Sequence, residues 1–449
     1  MAFSSAVFLS AFLPLTLGVC FALRKWVKAQ NAALLVLSLL FYAWGEWRFM
    51  PLLLLSALLN AVLGRLAGMN RGKKWPVALA AALNMGLLAY YKYSGFFAGI
   101  LGSGWTGPAL PLGISFFTFQ GLSYVIDMHR GKEEMGTVPE ACLYVALFPQ
   151  LVAGPIVRWG DVRQALRDRR VTLDGVGEGF CRFIPGLAKK VLLADTLGKV
   201  ADAAFACPDG IRSAPFALLG GVAFCLQLYM DFSGYSDMAV GLGRMLGFSF
   251  PENFDHPYRS RSITEFWRRW HITLSGWFRD YVYIPLGGNR KGKGRTLLNL
   301  SVVFLLTGLW HGAGWTFILW GLWNGLWMVL ERSDLVRPGR WKKPLSWGYG
   351  MLVVLLGFIV FRAPSLRAAG DYLTSLFTHW RIGEAAAHAC LLTLTPQALL
   401  ALLAAIPVSA GVKWRLPAWA QYALCFGLLA LCYLSIVSSG YHPFLYFRF

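Results

Sequence analysis

The stretch LLTGLWHGAGWTFILWGLWNG (305–325) is apolar and aromatic along most of its length, and His311 is its one ionisable residue. A run of about 20 such residues is long enough to cross the hydrocarbon core of a bilayer. An ionisable side chain at that depth is costly and usually faces a cavity, which favours a functional role for His311. The alternative is a neutral histidine that hydrogen-bonds between two helices.

The composition extends this interpretation to the whole chain. Of its 449 residues, 57% are hydrophobic and 14% are charged, whereas a soluble domain carries about a quarter charged residues. We predict an all-α, polytopic integral membrane protein with about 11–12 transmembrane helices, from the length that a span requires. The windows of suitable length lie near residues 3–23, 31–48, 50–66, 76–98, 111–128, 213–231, 232–249, 297–311, 313–330, 346–361, 392–411 and 417–438.

The net charge is strongly positive, at +20 from 42 Lys and Arg against 22 Asp and Glu. In a soluble protein this excess would suggest a nucleic-acid partner. Here the basic residues form short runs between the apolar windows, which cytoplasmic loops and anionic lipid headgroups explain better. We therefore expect contacts with membrane lipids and no nucleic-acid partner. The alternation of basic and non-basic loops places both termini outside.

Two segments combine membrane-like hydropathy with a broken pattern. Residues 139–157 are apolar but are interrupted by Pro149, Gly154 and Pro155, and residues 262–286 are aromatic and basic together. Broken helices persist at membrane depth only where protein or a water-filled cavity satisfies the freed backbone groups. We predict that both segments are re-entrant or interfacial, and that the helices surround a central cavity.

His271 lies in the second broken segment, in EFWRRWHITLSGWFRD (265–280). If this segment is one helix, Trp267, His271 and Ser275 share a face at i, i+4 spacing, and the arginines turn away from it. Aromatic and basic faces of this kind also suit an interfacial amphipathic helix in which the histidine is incidental. Spacing alone leaves both interpretations open.

Signatures of other chemistry are absent from the sequence. The eight cysteines form no C-x-x-C pair, so no zinc site or disulfide framework is predicted. There is no G-x-S-x-G, H-E-x-x-H or Walker-type motif. Acidic residues at membrane depth are few, with Asp127, Asp231 and Asp237 the main candidates. This scarcity argues against a proton or ion transporter, which normally carries several ionisable groups along its spans.

Four motifs together resemble the membrane-bound O-acyltransferase family. They are FPQLVAGPIVRW (148–159), the long segment 231–290 that ends in YIPLGGNR, LTGLWHGAGWTFILWGLWNG (306–325) and the terminal PFLYFRF (443–449). The chain is most similar to the bacterial branch that includes the membrane subunit of alginate O-acetylation. YIPLGGNR and the aromatic tail favour this branch over the related branch that transfers D-alanine.

The resemblance implies one domain over 1–449, with N-terminal spans in 1–130, a motif-bearing core in 139–295 and C-terminal spans in 296–449. It also implies a multi-pass protein of the bacterial inner membrane with periplasmic termini. In this family His311 would lie deep in a tunnel, and His271 would lie toward the cytoplasmic mouth. Both are therefore predicted catalytic residues.

The resemblance further implies acetyl-CoA as the acyl donor, with no permanently bound cofactor. The predicted donor-binding residues belong to the basic cluster between Arg259 and Arg295, because guanidinium groups contact phosphates in a bidentate manner. Lipid headgroups are the alternative ligand for this cluster. The donor-binding set that we predict is Arg268, Arg269, Arg290 and Lys291.

A periplasmic partner resembling SGNH hydrolases is implied to place the acetyl group on an exopolysaccharide such as alginate. We expect this partner to dock on segment 362–391 and on the tail after Gly440. The alternative function is a non-catalytic transporter or scaffold of a polysaccharide secretion complex. Thioester turnover by the purified protein distinguishes the two functions.

Overall fold

The computed structural model describes residues 1–208, 210–412 and 416–439, and within these ranges it consists of helices and turns without a strand. The predicted all-α class is confirmed. A helix satisfies its backbone hydrogen bonds internally, which a bilayer requires of any spanning segment other than a closed barrel. The chain divides into two compact units. The prediction of a single domain with three subdivisions stays a prediction.

The first unit comprises Met1–Leu187, Tyr235–Glu252 and the last described helix. Its core is aromatic: the rings of Phe3, Phe8 and Phe41 pack together with centroids 5.0–6.0 Å apart. Its helices are α1 (Leu13–Ala22), α2 (Val27–Glu46), α3 (Met50–Met69), α4 (Trp75–Leu88), α5 (Ser94–Ile100), α6 (Ile114–Arg130), α7 (Val138–Ala146), α8 (Phe148–Leu151), α9 (Trp159–Arg167) and α10 (Leu173–Ala188).

The second unit comprises Ala188–Gly234 and Asn253–Pro417. Both candidate histidines belong to it. Its helices are α11 (Asp195–Ala206), the first part of α12 (Ala214–Met245), α13 (Ile263–Arg269), α14 (Ile272–Phe278), α15 (Lys293–His311), α16 (Trp315–Arg332), α17 (Lys343–Arg362), α18 (Leu366–Thr378), α19 (Glu384–Thr393) and α20 (Pro396–Ser409). The last described helix, α21 (Ala418–Ser439), belongs to the first unit.

Helices α15 and α16 form a closely packed pair because two glycines meet between them. A Cβ atom on Gly308 would lie 2.4 Å from the Phe317 carbonyl oxygen, and one on Gly321 would lie 2.5 Å from the Phe304 carbonyl oxygen. No side chain fits at these distances, so the two backbones approach at a point that only glycine allows. This contact fixes the helix that carries His311.

Several helices are apolar enough to cross a membrane, as predicted. By length and composition they are the stretches Val27–Met69, Ala214–Met245, Lys343–Arg362 and Ala418–Ser438. The helices Glu384–Thr393 and Pro396–Ser409 would make a fifth span, bent by 71°. The predicted 11–12 spans therefore also require shorter helices and helices interrupted by π-helical turns, such as the one at Ala89–Tyr93.

The first broken segment has the expected interruption. α7 begins in a capping box formed by Thr137 and Glu140, and α8 is a single buried turn that carries Pro149. An extended stretch then leads to α9. Proline at the start of α8 needs no hydrogen bond to its nitrogen, which explains why the break is tolerated there.

The second broken segment corrects one expectation. Trp267, His271 and Ser275 do not lie on one helix, because α13 ends at Arg269 and α14 begins at Ile272. His271 lies between them with φ 44° and ψ 54°, in the left-handed region that non-glycine residues rarely adopt. The backbone therefore changes direction at His271. As a result, the His271 side chain does not lie on a helix face shared with Trp267 and Ser275.

The orientation of the chain in the membrane and the positions of its termini stay predictions. The tail after Gly440, including PFLYFRF, lies outside the described residues.

Candidate active site

His311 is the last residue of α15, and only 5% of its surface is exposed. Three aromatic rings pack edge-on against its imidazole: those of Trp310 and Trp320, each 5.0 Å away between centroids, and that of Phe361 at 5.4 Å. Gly312 follows directly, where a Cβ atom would lie 2.2 Å from the ring of Phe317. The W-H-G sequence thus places the histidine in an aromatic enclosure at a helix end.

His271 is fully buried between α13 and α14. Its Nδ1 atom lies 3.0 Å from Oδ1 of Asn253. The ring of Phe232 packs edge-on against it at 4.7 Å, and that of Trp310 lies 6.0 Å away. Because Trp310 also contacts His311, one indole ring joins the two predicted catalytic histidines in a single site.

A cavity of about 280 Å³ is lined by residues of the helices next to the two histidines, although neither histidine lines it directly. Thr307, in its wall, precedes His311 by one helical turn, and Ser275, also in its wall, donates its backbone N–H to the His271 carbonyl at 3.0 Å. The cavity therefore extends to within one turn of each histidine. Its lining residues are Thr264, Trp267, Arg268, Leu274, Ser275, Phe278, Arg279, Tyr283, Leu300, Val303, Phe304, Thr307, Met328 and Arg332.

The lining is mainly apolar, but three arginines contribute to it, namely Arg268, Arg279 and Arg332, all of them exposed. Arg279 forms a two-point ion pair with Asp280, at 2.7 and 3.2 Å. This hydrogen bonding raises the pKa of the Arg279 guanidinium above its usual value. An apolar cavity with guanidinium groups at its exposed edge suits a ligand that has an apolar arm and an anionic end.

Of the four predicted donor-binding residues, Arg268 lines this cavity. Arg269 instead pairs with Asp255 at 2.8 Å and with Glu265 at 3.0 Å. Arg290 and Lys291 are exposed in the turn before α15 and are not among the lining residues. Donor binding by all four stays a prediction.

Sequence reasoning did not single out Arg332 or Asn253 as site residues. Arg332 ends α16, and a basic residue at the end of an apolar helix is the signal that could have drawn attention to it. Asn253 lies 18 residues before its partner His271 in a segment without regular structure. No spacing rule connects such residues.

The first turn of α13 is held by a carboxylate from α16. Glu331 accepts hydrogen bonds from the backbone N–H groups of Ile263, at 2.7 Å, and Thr264, at 2.9 Å. The hydroxyl of Tyr349 donates to the same carboxylate at 3.1 Å. A carboxylate at a helix N-terminus satisfies donors that have no partner within the helix. α16 thereby fixes the position of the helix that precedes His271.

Two of the three predicted membrane-depth carboxylates form ion pairs. Asp231 lies 2.7 Å from the Lys190 ammonium group, and Asp237 lies 2.7 Å from the Arg182 guanidinium group. The pair of Lys190 and Asp231 is buried, and such a pair is tolerated when each charge is compensated. Among the described residues, no group of three or more His, Cys, Asp or Glu could hold a metal ion.

Comparisons with known proteins show which family the chain belongs to. The model of the membrane-bound O-acyltransferase family matches residues 128–334, which contain both histidines. The chain is 41% identical over 404 residues to the probable alginate O-acetylase AlgI of Pseudomonas putida, with 86% of this chain and 82% of that protein covered. For the protein of the same name in Pseudomonas aeruginosa, the identity is 42% over 403 residues, with 86% and 76% covered.

A third relative is named for a different polymer. The peptidoglycan O-acetyltransferase of Helicobacter pylori is 34% identical over 413 residues, with 82% of this chain and 78% of that protein covered. The long coverage at this identity includes the helices that build the site as well as its motifs. This chain therefore belongs to the membrane-bound O-acyltransferase family and is a multi-pass membrane acyltransferase.

Proposed function

We propose that this protein takes an acetyl group from acetyl-CoA at the cytoplasmic face and passes it across the membrane for O-acetylation of an exopolysaccharide such as alginate. The observation that carries the proposal is the cavity that leads from three exposed arginines to within one turn of His271 and His311. The names of the Pseudomonas relatives support the acetyl group and the polymer. Membership of an acyltransferase family argues against the alternative of a non-catalytic transporter or scaffold.

Acetyl-CoA has the two chemical parts that this cavity would accommodate. Its phosphates would contact Arg268, Arg279 and Arg332, because guanidinium groups form charge-assisted hydrogen bonds with phosphate oxygens. Its pantetheine arm would lie along the apolar wall that includes Trp267, Phe304 and Met328. The thioester would then reach the end of the cavity near Thr307, one turn before His311.

His311 is proposed as the general base. In the transfer, the hydroxyl oxygen of the acceptor forms a C–O bond with the acetyl carbonyl carbon as the C–S bond breaks. His311 takes the hydroxyl proton, and the thiolate that leaves is protonated to give coenzyme A. Neutral imidazole is suited to this step near pH 7. His271 is proposed to orient the donor or to polarise its thioester carbonyl.

The acetyl group is proposed to leave through a periplasmic partner that resembles SGNH hydrolases. Segment 362–391 includes α18 and most of α19, and it exposes Phe377, Trp380 and Ile382, which are 57–64% accessible. Aromatic residues are enriched in the buried centres of protein interfaces, so this surface suits a docking role. The tail after Gly440 is proposed to share that role.

The proposal is tested with protein purified in detergent and reconstituted in lipid nanodiscs. Acetyl-CoA carrying a radioactive acetyl group is supplied, and release of free coenzyme A and transfer of label to the candidate partner are followed. We expect turnover that depends on this protein and is saturable in acetyl-CoA. Absence of thioester turnover with the partner present would reject the proposed activity. Label on the partner without later transfer to a polymer would reject the exopolysaccharide.

A further inference from the structure

The side-chain oxygen of Asn253 is the centre of a hydrogen-bond cluster at the start of α14. It lies 3.0 Å from Nδ1 of His271, accepts from the Thr273 hydroxyl at 2.8 Å and accepts from the Thr273 backbone N–H at 3.3 Å. The backbone carbonyl of Asn253 also accepts the N–H of Ile272 at 2.9 Å. Asn253 is 1% exposed. One buried residue thus holds three consecutive residues from His271 onward.

These contacts determine which atom of the amide faces the histidine. The oxygen and nitrogen of an asparagine amide are distinguished by the groups that they meet. The backbone N–H of Thr273 can only donate a hydrogen bond, so the amide atom that it contacts is the oxygen. The same oxygen faces Nδ1 of His271. Since a carbonyl oxygen can only accept, Nδ1 must carry the proton.

The opposite nitrogen of the ring then has a defined character. A neutral imidazole has one N–H, so Nε2 of His271 holds a lone pair and can only accept a hydrogen bond. Nε2 is buried, and it has no hydrogen-bond partner within the part of the chain that the structure describes. A buried polar atom without a partner is costly and is often found where a ligand or reacting group completes the site.

The surroundings keep the ring in this orientation. Phe232 packs edge-on at 4.7 Å, Trp310 lies at 6.0 Å, and Phe254 stacks at 6.5 Å. The backbone at His271 has a positive φ, a conformation that persists only when the surrounding contacts hold it in place. The direction of Nε2 is therefore set before any substrate binds.

We propose that Asn253 is a positioning residue that holds His271 in its Nδ1-protonated form, so that Nε2 accepts a hydrogen bond from an N–H or O–H group of a reactant. This inference rests on the proposed acetyl-CoA chemistry. It excludes one role for His271, that of polarising the thioester carbonyl. The Nε2 lone pair can only accept a hydrogen bond, and the carbonyl oxygen has no proton to donate to it. The groups that can meet Nε2 are the amide N–H groups of the pantetheine arm and the hydroxyl of the acceptor.

A pair of substitutions of similar size separates positioning from packing. Asn253→Asp keeps an oxygen acceptor for Nδ1, whereas Asn253→Leu removes it. We expect Asn253→Leu to lower kcat/KM for acetyl-CoA by about 10- to 100-fold, the cost typical of losing a partner that orients a metal-ligating histidine. We expect Asn253→Asp to retain most of the wild-type kcat/KM. Thr273→Val removes one hydrogen bond to the same oxygen and leaves the histidine contact, so its effect should be smaller.

The tautomer is read directly from the ¹⁵N spectrum of histidine-labelled protein in nanodiscs, with His271→Gln identifying the signal. We expect wild-type protein and Asn253→Asp to carry the proton on Nδ1 and Asn253→Leu to lose this preference. A wild-type His271 protonated on Nε2 would overturn the inference, and so would equal kcat/KM in the Leu and Asp variants. If Asn253→Leu does not fold, the wild-type spectrum and the Thr273→Val variant still test whether Asn253 positions His271. The correct tautomer in a protein that does not turn over acetyl-CoA would reject the proposed function alone.

Discussion

Trp310 and His271 are in ring contact, with their centroids 6.0 Å apart, although Trp310 lies in the last turn of α15 and His271 lies between two short helices. The indole of Trp310 also lies 5.0 Å from the imidazole of His311. The two histidines therefore share a wall of one site, and a change at either one is expected to affect the same reaction. Their different surroundings predict different responses to substitution.

His311→Ala is expected to preserve folding and donor binding while reducing acetyl transfer by about 10²- to 10⁴-fold, the usual cost of losing a general base. Transfer rate and acetyl-CoA binding are measured separately on purified protein. His388→Ala is the matched control for folding and acetyl-CoA binding, because His388 is exposed in α19 and does not line the cavity. A His311→Ala rate near that of wild type would reject the proposed base.

His271→Gln is expected to retain more activity than His271→Ala. The glutamine side chain has an oxygen that accepts and an NH₂ group that donates, so it can replace both hydrogen bonds of the imidazole in part. Alanine replaces neither of them and leaves a space among the rings of Phe232 and Trp310. Steady-state rates of the two variants, compared at equal thermal stability, test this. Equal activities would mean that the hydrogen bonds of His271 do not contribute.

Arg268→Gln is expected to raise the KM for acetyl-CoA by about tenfold or more, since a hydrogen bond to a charged group contributes about 1.5–3 kcal/mol. Arg268 lines the cavity. Arg170→Gln is the control, because Arg170 is exposed and is not among the lining residues. Unchanged donor saturation in Arg268→Gln, with normal folding, would indicate lipid headgroups as the ligand of this arginine.

A cysteine at Gly294 is expected to react with a membrane-impermeant thiol reagent only from the cytoplasmic side. Gly292 is the less suitable position, because its φ of 86° would strain any other residue. Gly294 has open space where a Cβ atom would be added. The unsubstituted chain, whose described cysteines are all free, measures the background. Labelling of Gly294→Cys from outside intact cells would reverse the predicted topology.

The sequence was sufficient for features that depend on local pattern. Apolar windows predict helices, and Pro149 and its neighbours predict the break before α8, because both follow from backbone chemistry. The burial of His311 follows from the uncharged run around it. The turn at His271 could not be predicted in this way, since its positive φ accompanies contacts with Asn253, far away in sequence. The position of Arg332 beside the cavity likewise depends on how α16 packs against α13.

Gly308→Ala is expected to destabilise the protein by about 1–3 kcal/mol, the typical cost of overpacking a close contact. The added methyl group would lie 2.4 Å from the carbonyl oxygen of Phe317, which belongs to the backbone and cannot rotate away. Relief requires α15 and α16 to separate, and this moves His311 relative to Trp320, so acetyl transfer should fall together with the thermal unfolding temperature. Gly294→Ala, in the first turn of the same helix and in open space, is the matched control. If Gly308→Ala had the stability and activity of Gly294→Ala, the close approach of the two helices would not be what positions His311.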